Sequence, residues 1–165
     1  MRATSIAAAI VTLSSACAFA QSPQMLGSNE SWSAWRVKES DASVCYVYSD
    51  SVSKKPNHLD HGRVSLFVRH LKSGKARTEA SLQVGYEFAP TAVSVVVDGK
   101  RFTMIPRGNY AWLRRTERES EFVRALEKGR SVNIEASSKR GNKTAYGFSL
   151  KGFAAAMRKA RQGCR

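Results

Sequence analysis

Acidic residues are scarce in this 165-residue chain, which has 13 Asp and Glu against 27 Lys and Arg and a formal net charge of +14. None follows Glu135, although Lys and Arg continue to the end of the chain. Such an uneven positive field favours encounter with anionic polymers or surfaces, through contacts that weaken as salt rises. The alternative is that the charge only keeps the protein soluble. The candidate residues for binding an anionic partner are Lys139, Arg140, Lys143, Lys151, Arg158, Lys159 and Arg161.

Catalytic motifs are also missing. The chain has no G-x-S-x-G, no H-E-x-x-H and no glycine-rich loop that opens a helix. The three histidines lie close together, with His58 and His61 in "KKPNHLDHG" and His70 on the strand that follows. Nothing else in the sequence completes a set of three or four metal ligands, so we expect no catalytic residue, no metal and no cofactor. The alternative is an envelope-polymer hydrolase or a metal-dependent enzyme that uses the His58/His61 loop.

The chain lacks an apolar run long enough to cross a bilayer, which takes about 20 residues. Residues 1–20 instead combine Arg2, an apolar stretch at 6–13 and the A-x-A sequence that ends at Ala20. This is the pattern of a secretory signal peptide. We expect cleavage near Ala20 and export, with lipidation of Cys17 as the alternative.

Cysteines are few, with three in the whole chain. Cleavage near Ala20 removes Cys17 and leaves Cys45 and Cys164, an even number in an exported protein. We expect a disulfide between them, which would hold the last residues of the chain against a strand near the start of the domain. A reactive thiol is disfavoured because neither cysteine lies in a C-x-x-C motif.

Most of the chain shows the two-residue periodicity of β-strands. Residues 21–33 are polar and suggest a flexible leader, so one domain is expected at 34–165. The clearest segment is "VSVVVDGKRFTMI", in which Asp98-Gly99 separates two apolar arms, as in a two-residue hairpin. Many short strands with few helices favour an antiparallel sandwich. The side chains expected to face inward in this hairpin are those of Val93, Val95, Val97, Phe102 and Met104.

Two helices interrupt the strands. The sequence 116–119 (TERE) fits a capping box that begins a helix ending at Gly129. Residues 152–162 place Phe153, Met157 and Ala160 on one apolar stripe, which favours core packing. Among the tryptophans, Trp35 and Trp112 are expected in core or edge packing, and Trp32 is the candidate for an exposed contact.

The order of short motifs resembles the invasion-associated locus B family, small exported proteins of Gram-negative bacteria. The matching motifs are Trp35, the strand of Cys45, "GYEFAP", "VSVVVDGKRFTM", "AWL", "RALEKG" and "FSLKGFAAAM" before Cys164. The resemblance implies an immunoglobulin-like β-sandwich with the two cysteines bridged, in the periplasm or at the outer surface. It also implies a role linked in some members to entry into host cells, and it carries no catalytic residue onto this chain.

The sequence therefore predicts a mainly β protein, an antiparallel immunoglobulin-like β-sandwich with two short helices and one disulfide. We expect a non-enzymatic exported binding or accessory protein whose partner is an anionic envelope or host-surface component. Peripheral membrane contact is one form of this, whereas nucleic acid is not expected as a partner behind a signal peptide. The alternative is a structural module whose sheet edge pairs with another envelope protein.

Overall fold

The computed structural model describes residues 22–39, 42–71 and 77–164, so the expected signal segment 1–20 lies outside the described residues. None of the helices in the described part of the chain is long and apolar enough to cross a membrane. A 3-10 turn (Thr116–Arg118) precedes the first α-helix. The other described elements are β1 (Gln24–Asn29), β2 (Trp32–Glu39), β3 (Ala42–Asp50), β4 (Ser53–Lys55), β5 (Ser65–His70), β6 (Thr78–Gln83), β7 (Val93–Val97), β8 (Lys100–Arg107), β9 (Tyr110–Leu113), α1 (Glu119–Lys128), β10 (Ser131–Ser137), β11 (Lys143–Ser149) and α2 (Phe153–Gly163).

The eleven strands within the described ranges form one antiparallel sheet. Their order is β1-β2-β3-β5-β6-β9-β8-β7-β10-β11-β4. Apolar side chains from both halves of this order belong to a single buried cluster, so the sheet curls around one core. The structure thus confirms a mainly β, antiparallel fold with two α-helices. The immunoglobulin-like arrangement of the strands stays a prediction.

The β7–β8 hairpin is confirmed, with Asp98-Gly99 at its turn. Both turn residues have positive φ, 42° and 89°, as a turn matched to the twist of the strands requires. The Asp98 carboxylate accepts the backbone N–H groups of Arg130 and Ser131 at 2.7 and 3.2 Å, which ties the turn to the start of β10. The residues predicted to face inward are all buried: Val93, Val95, Val97, Phe102 and Met104.

The disulfide between Cys45 and Cys164 is also confirmed, with the two Cα atoms 5.8 Å apart. It joins β3 to the residue that follows α2. The apolar stripe of α2 is buried as predicted, with Phe153, Met157 and Ala160 fully shielded from solvent. Residues 153–164 are therefore packed against the core and covalently held.

The predicted flexible leader at 21–33 is corrected over its described part, residues 22–33. Residues 24–29 form β1, which pairs with β2 across a tight turn. Trp32, predicted to make an exposed contact, is fully buried. Its Nε1–H donates to the carbonyl oxygen of Ser149 at 2.8 Å, and its ring meets that of Phe153 edge to face at 4.7 Å. The polar composition of the segment does not indicate that Trp32 packs into the core.

The predicted capping box is wrong. Thr116 lies in the 3-10 turn, and no side chain caps the start of that turn or of α1. Glu119, expected to complete the box, is buried and accepts the backbone N–H of Ala80 at 3.2 Å instead. A hydrogen bond to β6 thus replaces the predicted capping hydrogen bond at the start of the helix. The end of the helix at Gly129 agrees with the prediction.

Trp35 and Trp112 lie on the outward face of the sheet and not in the core. In β2, Trp32 and Ala34 point inward, so the alternating pattern turns Trp35 outward. In β9, Ala111 and Leu113 are buried, and Trp112 is only half-buried between them. Of the predicted core or edge packing, the core alternative is therefore wrong for both tryptophans, since each is only half-buried.

Candidate anion-binding site

The seven cations suggested by the sequence lie in two separate groups. Lys139, Arg140 and Lys143 lie in or next to the β10–β11 hairpin turn, whereas the other four follow β11 or belong to α2. The strand between the two groups spans about 20 Å, at roughly 3.3 Å per residue. The structure does not bring all seven cations to one place.

The hairpin group is partly neutralised. The Nζ atom of Lys139 lies 2.6 Å from Oε2 of Glu87, and its backbone N–H donates to the Glu87 carbonyl at 2.8 Å. Arg140 and Lys143 are exposed, and no residue in the described ranges forms an ion pair with either of them. This end of the molecule therefore presents two uncompensated cations.

The helical group is similarly divided. Arg161 pairs with Glu127 of α1 at 2.8 Å. The side chain of Lys159 lies against Gly27 of β1 and helps to seat α2 on the sheet. Lys151 and Arg158 are exposed. Two of these four cations thus contribute to the packing of the helix.

Three further arginines line one cleft of about 550 Å³, which we call the arginine cleft. It lies between the ends of β8 and β9 and the 3-10 turn. Its lining includes no carboxylate. The lining residues are Phe102, Thr103, Leu113, Arg114, Arg115 and Arg118.

Backbone and ring contacts hold this cleft in shape. The N–H of Arg114 donates to the carbonyl oxygen of Thr103 at 2.8 Å, which extends the pairing of β8 and β9 by one step. The N–H of Arg118 donates to the Arg115 carbonyl at 3.0 Å and closes the 3-10 turn. The Arg118 guanidinium carbon lies 4.6 Å from the ring centre of Phe102, within cation–π range.

The charges of the cleft are unevenly compensated. Arg118 donates to Glu121 at 2.7 Å, and Lys100 lies 2.8 Å from the same carboxylate. Arg118 first and then Lys100 lower the pKa of Glu121 to about 2, so this carboxylate stays ionised at neutral pH. Arg114 and Arg115, in contrast, are exposed and have no ion-pair partner among the described residues. The cleft therefore keeps two positive charges available for a ligand.

The sequence contains a sign of this cleft, in the run 114–118 (RRTER) directly after a strand. Two features of the sequence draw attention away from this run. Its last residues also fit the start of a helix, and the lack of acids after Glu135 favours the later cations as the binding residues. Three arginines within five residues of an irregular connection are the better indication. Their convergence on one cleft depends on the 3-10 turn, which the sequence pattern does not predict.

The loop that carries His58 and His61, which we call the histidine loop, lines a different pocket of about 470 Å³ beside the β10–β11 hairpin. His61 is buried, and both of its ring nitrogens are occupied: Nε2 lies 2.9 Å from the Pro56 carbonyl oxygen and Nδ1 lies 3.0 Å from the Tyr146 hydroxyl. That hydroxyl lies 2.8 Å from the hydroxyl of Tyr86, which in turn lies 2.7 Å from Oγ1 of Thr144. This chain of hydrogen bonds anchors the loop to the sheet.

The alternative of a metal-dependent enzyme depends on His58 and His61. Within residues 22–39, 42–71 and 77–164, no three His, Cys, Asp or Glu side chains are placed to hold one metal ion. His58 is exposed, whereas His61 faces inward toward Tyr146. Asp60 accepts the backbone N–H of Gly62 at 2.8 Å, which shapes the turn of the loop.

Comparison with known proteins gives one match. The family model described as "Invasion associated locus B (IalB) protein" matches residues 32–161, most of the chain. No curated protein and no solved structure matches the chain. The matched range includes the arginine cleft, the histidine loop and nearly all of both α-helices.

Proposed function

Because the chain belongs to the invasion associated locus B family, we propose that it is an exported, non-enzymatic binding protein for anionic groups of an envelope or host-surface polymer. The arginine cleft carries this proposal. It combines three guanidinium groups, a lining without carboxylates and two arginines free of ion pairs among the described residues.

The chemistry of the cleft suits this role. A guanidinium presents planar, paired N–H donors that match a carboxylate, sulfate or phosphate group. The cleft is held by backbone hydrogen bonds, so less conformational entropy is lost when a ligand binds. The net positive charge, +14 over the full chain, adds long-range attraction that steers anionic polymers toward the protein.

Export is supported by two independent features. One is the disulfide between Cys45 and Cys164, because disulfides persist in oxidising compartments such as the periplasm or the extracellular space. Residues 1–20 also have the composition of a signal peptide. We extend the proposal to an immunoglobulin-like arrangement of the sheet and to contact with host surfaces, both of which the family resemblance implies.

The test is binding of the disulfide-intact protein to lipopolysaccharide and to phosphatidylglycerol vesicles, at low and at physiological salt. Binding that weakens as salt rises is expected. Replacing both free arginines, Arg114→Gln with Arg115→Gln, should weaken binding about tenfold and reduce the slope of log affinity against log salt by about 2.

The matched control removes the same amount of charge elsewhere. Arg124 and Lys128 are exposed on α1, so Arg124→Gln with Lys128→Gln should leave affinity nearly unchanged. A third variant, Arg158→Gln with Lys159→Gln and Arg161→Gln, tests the site suggested by the sequence. If only this third variant loses binding, the arginine cleft is the wrong site and α2 is the binding surface.

Pairing with another envelope protein through a sheet edge is the competing proposal. Among the described strands, β1 and β4 form the two edges of the sheet. The β4 edge is three residues long and carries Lys54 and Lys55, features that discourage strand addition. A complex that survives high salt would favour edge pairing over a contact driven by charge.

A further inference from the structure

The outward face of the sheet next to the arginine cleft carries half-buried aromatic side chains. Strand register places Tyr48, Phe67, Ser81 and Trp112 side by side in one row across β3, β5, β6 and β9. Three of these four positions hold a large ring, whereas Ser81 is small. The row therefore has a gap at β6, flanked by aromatic rings.

Ring contacts fix the two sides of this gap. On one side, Phe67 lies 5.4 Å from Tyr48 and 6.2 Å from Tyr46, measured between ring centres. On the other, Tyr110 and Trp112 are stacked at 5.6 Å. The gap is a slot of about 300 Å³ whose lining includes Ser81, Phe67 and Trp112, and we call it the Ser81 slot.

One end of the slot is polar. Nη1 of Arg69 lies 3.4 Å from Oε1 of Glu79, and both side chains are 40 % exposed. The pair brings hydrogen-bond donors and acceptors to the same place with no net charge. This complements a neutral group with several hydroxyls better than it complements an ion.

The slot and the arginine cleft come close together where β9 ends. Trp112 lines the slot and Arg114 lines the cleft. Arg114 follows β9 directly, and its N–H still pairs with Thr103, so strand alternation puts its side chain on the side of Trp112, about 7 Å away. Leu113 between them is buried, which agrees with this alternation.

We infer that the Ser81 slot holds one sugar ring of an acidic glycan whose carboxylate, sulfate or phosphate group enters the arginine cleft. This inference rests on the proposed function and adds the class of ligand. The faces of aromatic rings carry negative partial charge, which attracts the C–H groups of a sugar ring. Arg69 and Glu79 then meet the hydroxyls at the edge of the ring.

A glycan fits these contacts better than single-stranded nucleic acid does. Aromatic rings on a sheet also stack nucleic-acid bases, next to cations that hold the phosphates. Here, however, the neutral Arg69–Glu79 pair lies at the slot itself, where it offers a phosphate backbone no net positive charge while its carboxylate accepts hydrogen bonds from hydroxyls. The pairing of Glu79 with Arg69 is thus the feature that favours the sugar.

The experiment uses the disulfide-intact full chain and three probes, with binding measured by calorimetry and tryptophan fluorescence. Trigalacturonate carries rings and carboxylates, its methyl ester carries rings alone, and polyphosphate carries charge alone. Trigalacturonate should bind about tenfold more tightly than either of the others, because only it engages both parts of the site.

Two variants alter the slot in different ways. Trp112→Ala removes one aromatic side, and Ser81→Leu fills the gap while keeping every ring. Each should weaken trigalacturonate binding about tenfold and leave polyphosphate binding unchanged. The matched control is Trp35→Ala, which removes an outward tryptophan that does not line the slot and should have no effect.

The outcomes separate this inference from the proposed function. Equal affinity for polyphosphate and trigalacturonate, lost in the Arg114→Gln and Arg115→Gln variant, would overturn the sugar slot and leave the proposed function standing. Failure of every anionic probe, including lipopolysaccharide, would overturn the proposed function itself. Tighter binding of oligothymidylate that depends on Trp112, or a homodimer that Trp112→Ala dissociates, would also overturn the sugar assignment.

Discussion

The backbone N–H of Ala80 donates a hydrogen bond to Oε1 of Glu119 at 3.2 Å, which fastens the first turn of α1 to β6. Strand β9 pairs with β6 at Ser81–Gln83 but not at Ala80. The Glu119 carboxylate therefore accepts the Ala80 N–H at the position where strand pairing stops. The other oxygen, Oε2, is buried without a hydrogen-bond partner among the described residues. A carboxylate in this position is costly to ionise.

The stability of the protein should therefore depend on the protonation of Glu119. Burial first, and the negative charge of Glu79 in addition, raise its pKa from 4.5 to about 7. Between these two values the unfolded chain is ionised while the folded chain keeps its proton, so this residue lowers stability as pH rises from 4.5 to about 7. Above pH 7 the loss is complete.

Glu119→Gln removes this titration and keeps an oxygen that can accept the Ala80 N–H. The variant should match the wild type near pH 4 and exceed it by about 3 kcal/mol at pH 8. Urea unfolding of both proteins at pH 4, 6 and 8 measures the difference. A difference that does not change with pH would contradict the prediction.

Glu119 also shows why the strands are easier to predict than the contacts of the helices. Alternation of apolar residues is a local property, and it alone is enough to assign Val95 and Phe102 to the inward face, where both are buried. The role of Glu119 depends on Ala80, which is 39 residues away in sequence. A local capping rule cannot anticipate a partner at that distance.

The disulfide should account for a large part of the stability. Cys45 and Cys164 are 119 residues apart, and closing a loop of that length in the unfolded chain corresponds to about 5 kcal/mol in the chain-entropy model. Reduction should therefore lower the free energy of unfolding by about that amount, as measured by urea unfolding with and without dithiothreitol. In the double variant Cys45→Ser with Cys164→Ser, dithiothreitol should not change the free energy of unfolding. A loss below about 1 kcal/mol would show that the reduced, unfolded chain retains structure.

Gly85 should not tolerate a side chain. A Cβ atom there would lie 2.7 Å from Cα of Gly62 and 2.7 Å from the carbonyl oxygen of His61. The N–H of Gly85 donates to that same oxygen at 3.0 Å, so the two segments cannot separate without losing the bond. Gly85→Ala should destabilise the protein by about 1 to 3 kcal/mol and speed hydrogen exchange in the loop 57–63. Unchanged exchange there would contradict this account.

The two parts of the proposed site are predictable from the sequence to different degrees. The basic character is evident from composition, but the residues that present it, Arg114 and Arg115, are not among the seven suggested cations. The aromatic slot escapes prediction because Trp112 is expected to pack in or at the edge of the core. Which face of β9 points outward depends on the pairing of Ser81 with Trp112, and this register is not contained in either segment alone.

The hydroxyl of Tyr146 should be required for the position of the histidine loop. It lies 3.0 Å from Nδ1 of His61 and 2.8 Å from the hydroxyl of Tyr86, and burial raises the pKa of Tyr146, so it stays protonated. Tyr146→Phe keeps the ring but leaves the buried His61 nitrogen without its partner, which should cost about 1 to 3 kcal/mol. Tyr110→Phe is the matched control, because the Tyr110 hydroxyl has no hydrogen-bond partner among the described residues, and the change should be close to neutral. Urea unfolding gives both values. Equal effects of the two substitutions would mean that the chain of hydrogen bonds adds nothing to the stability of the fold, and that packing alone holds the loop.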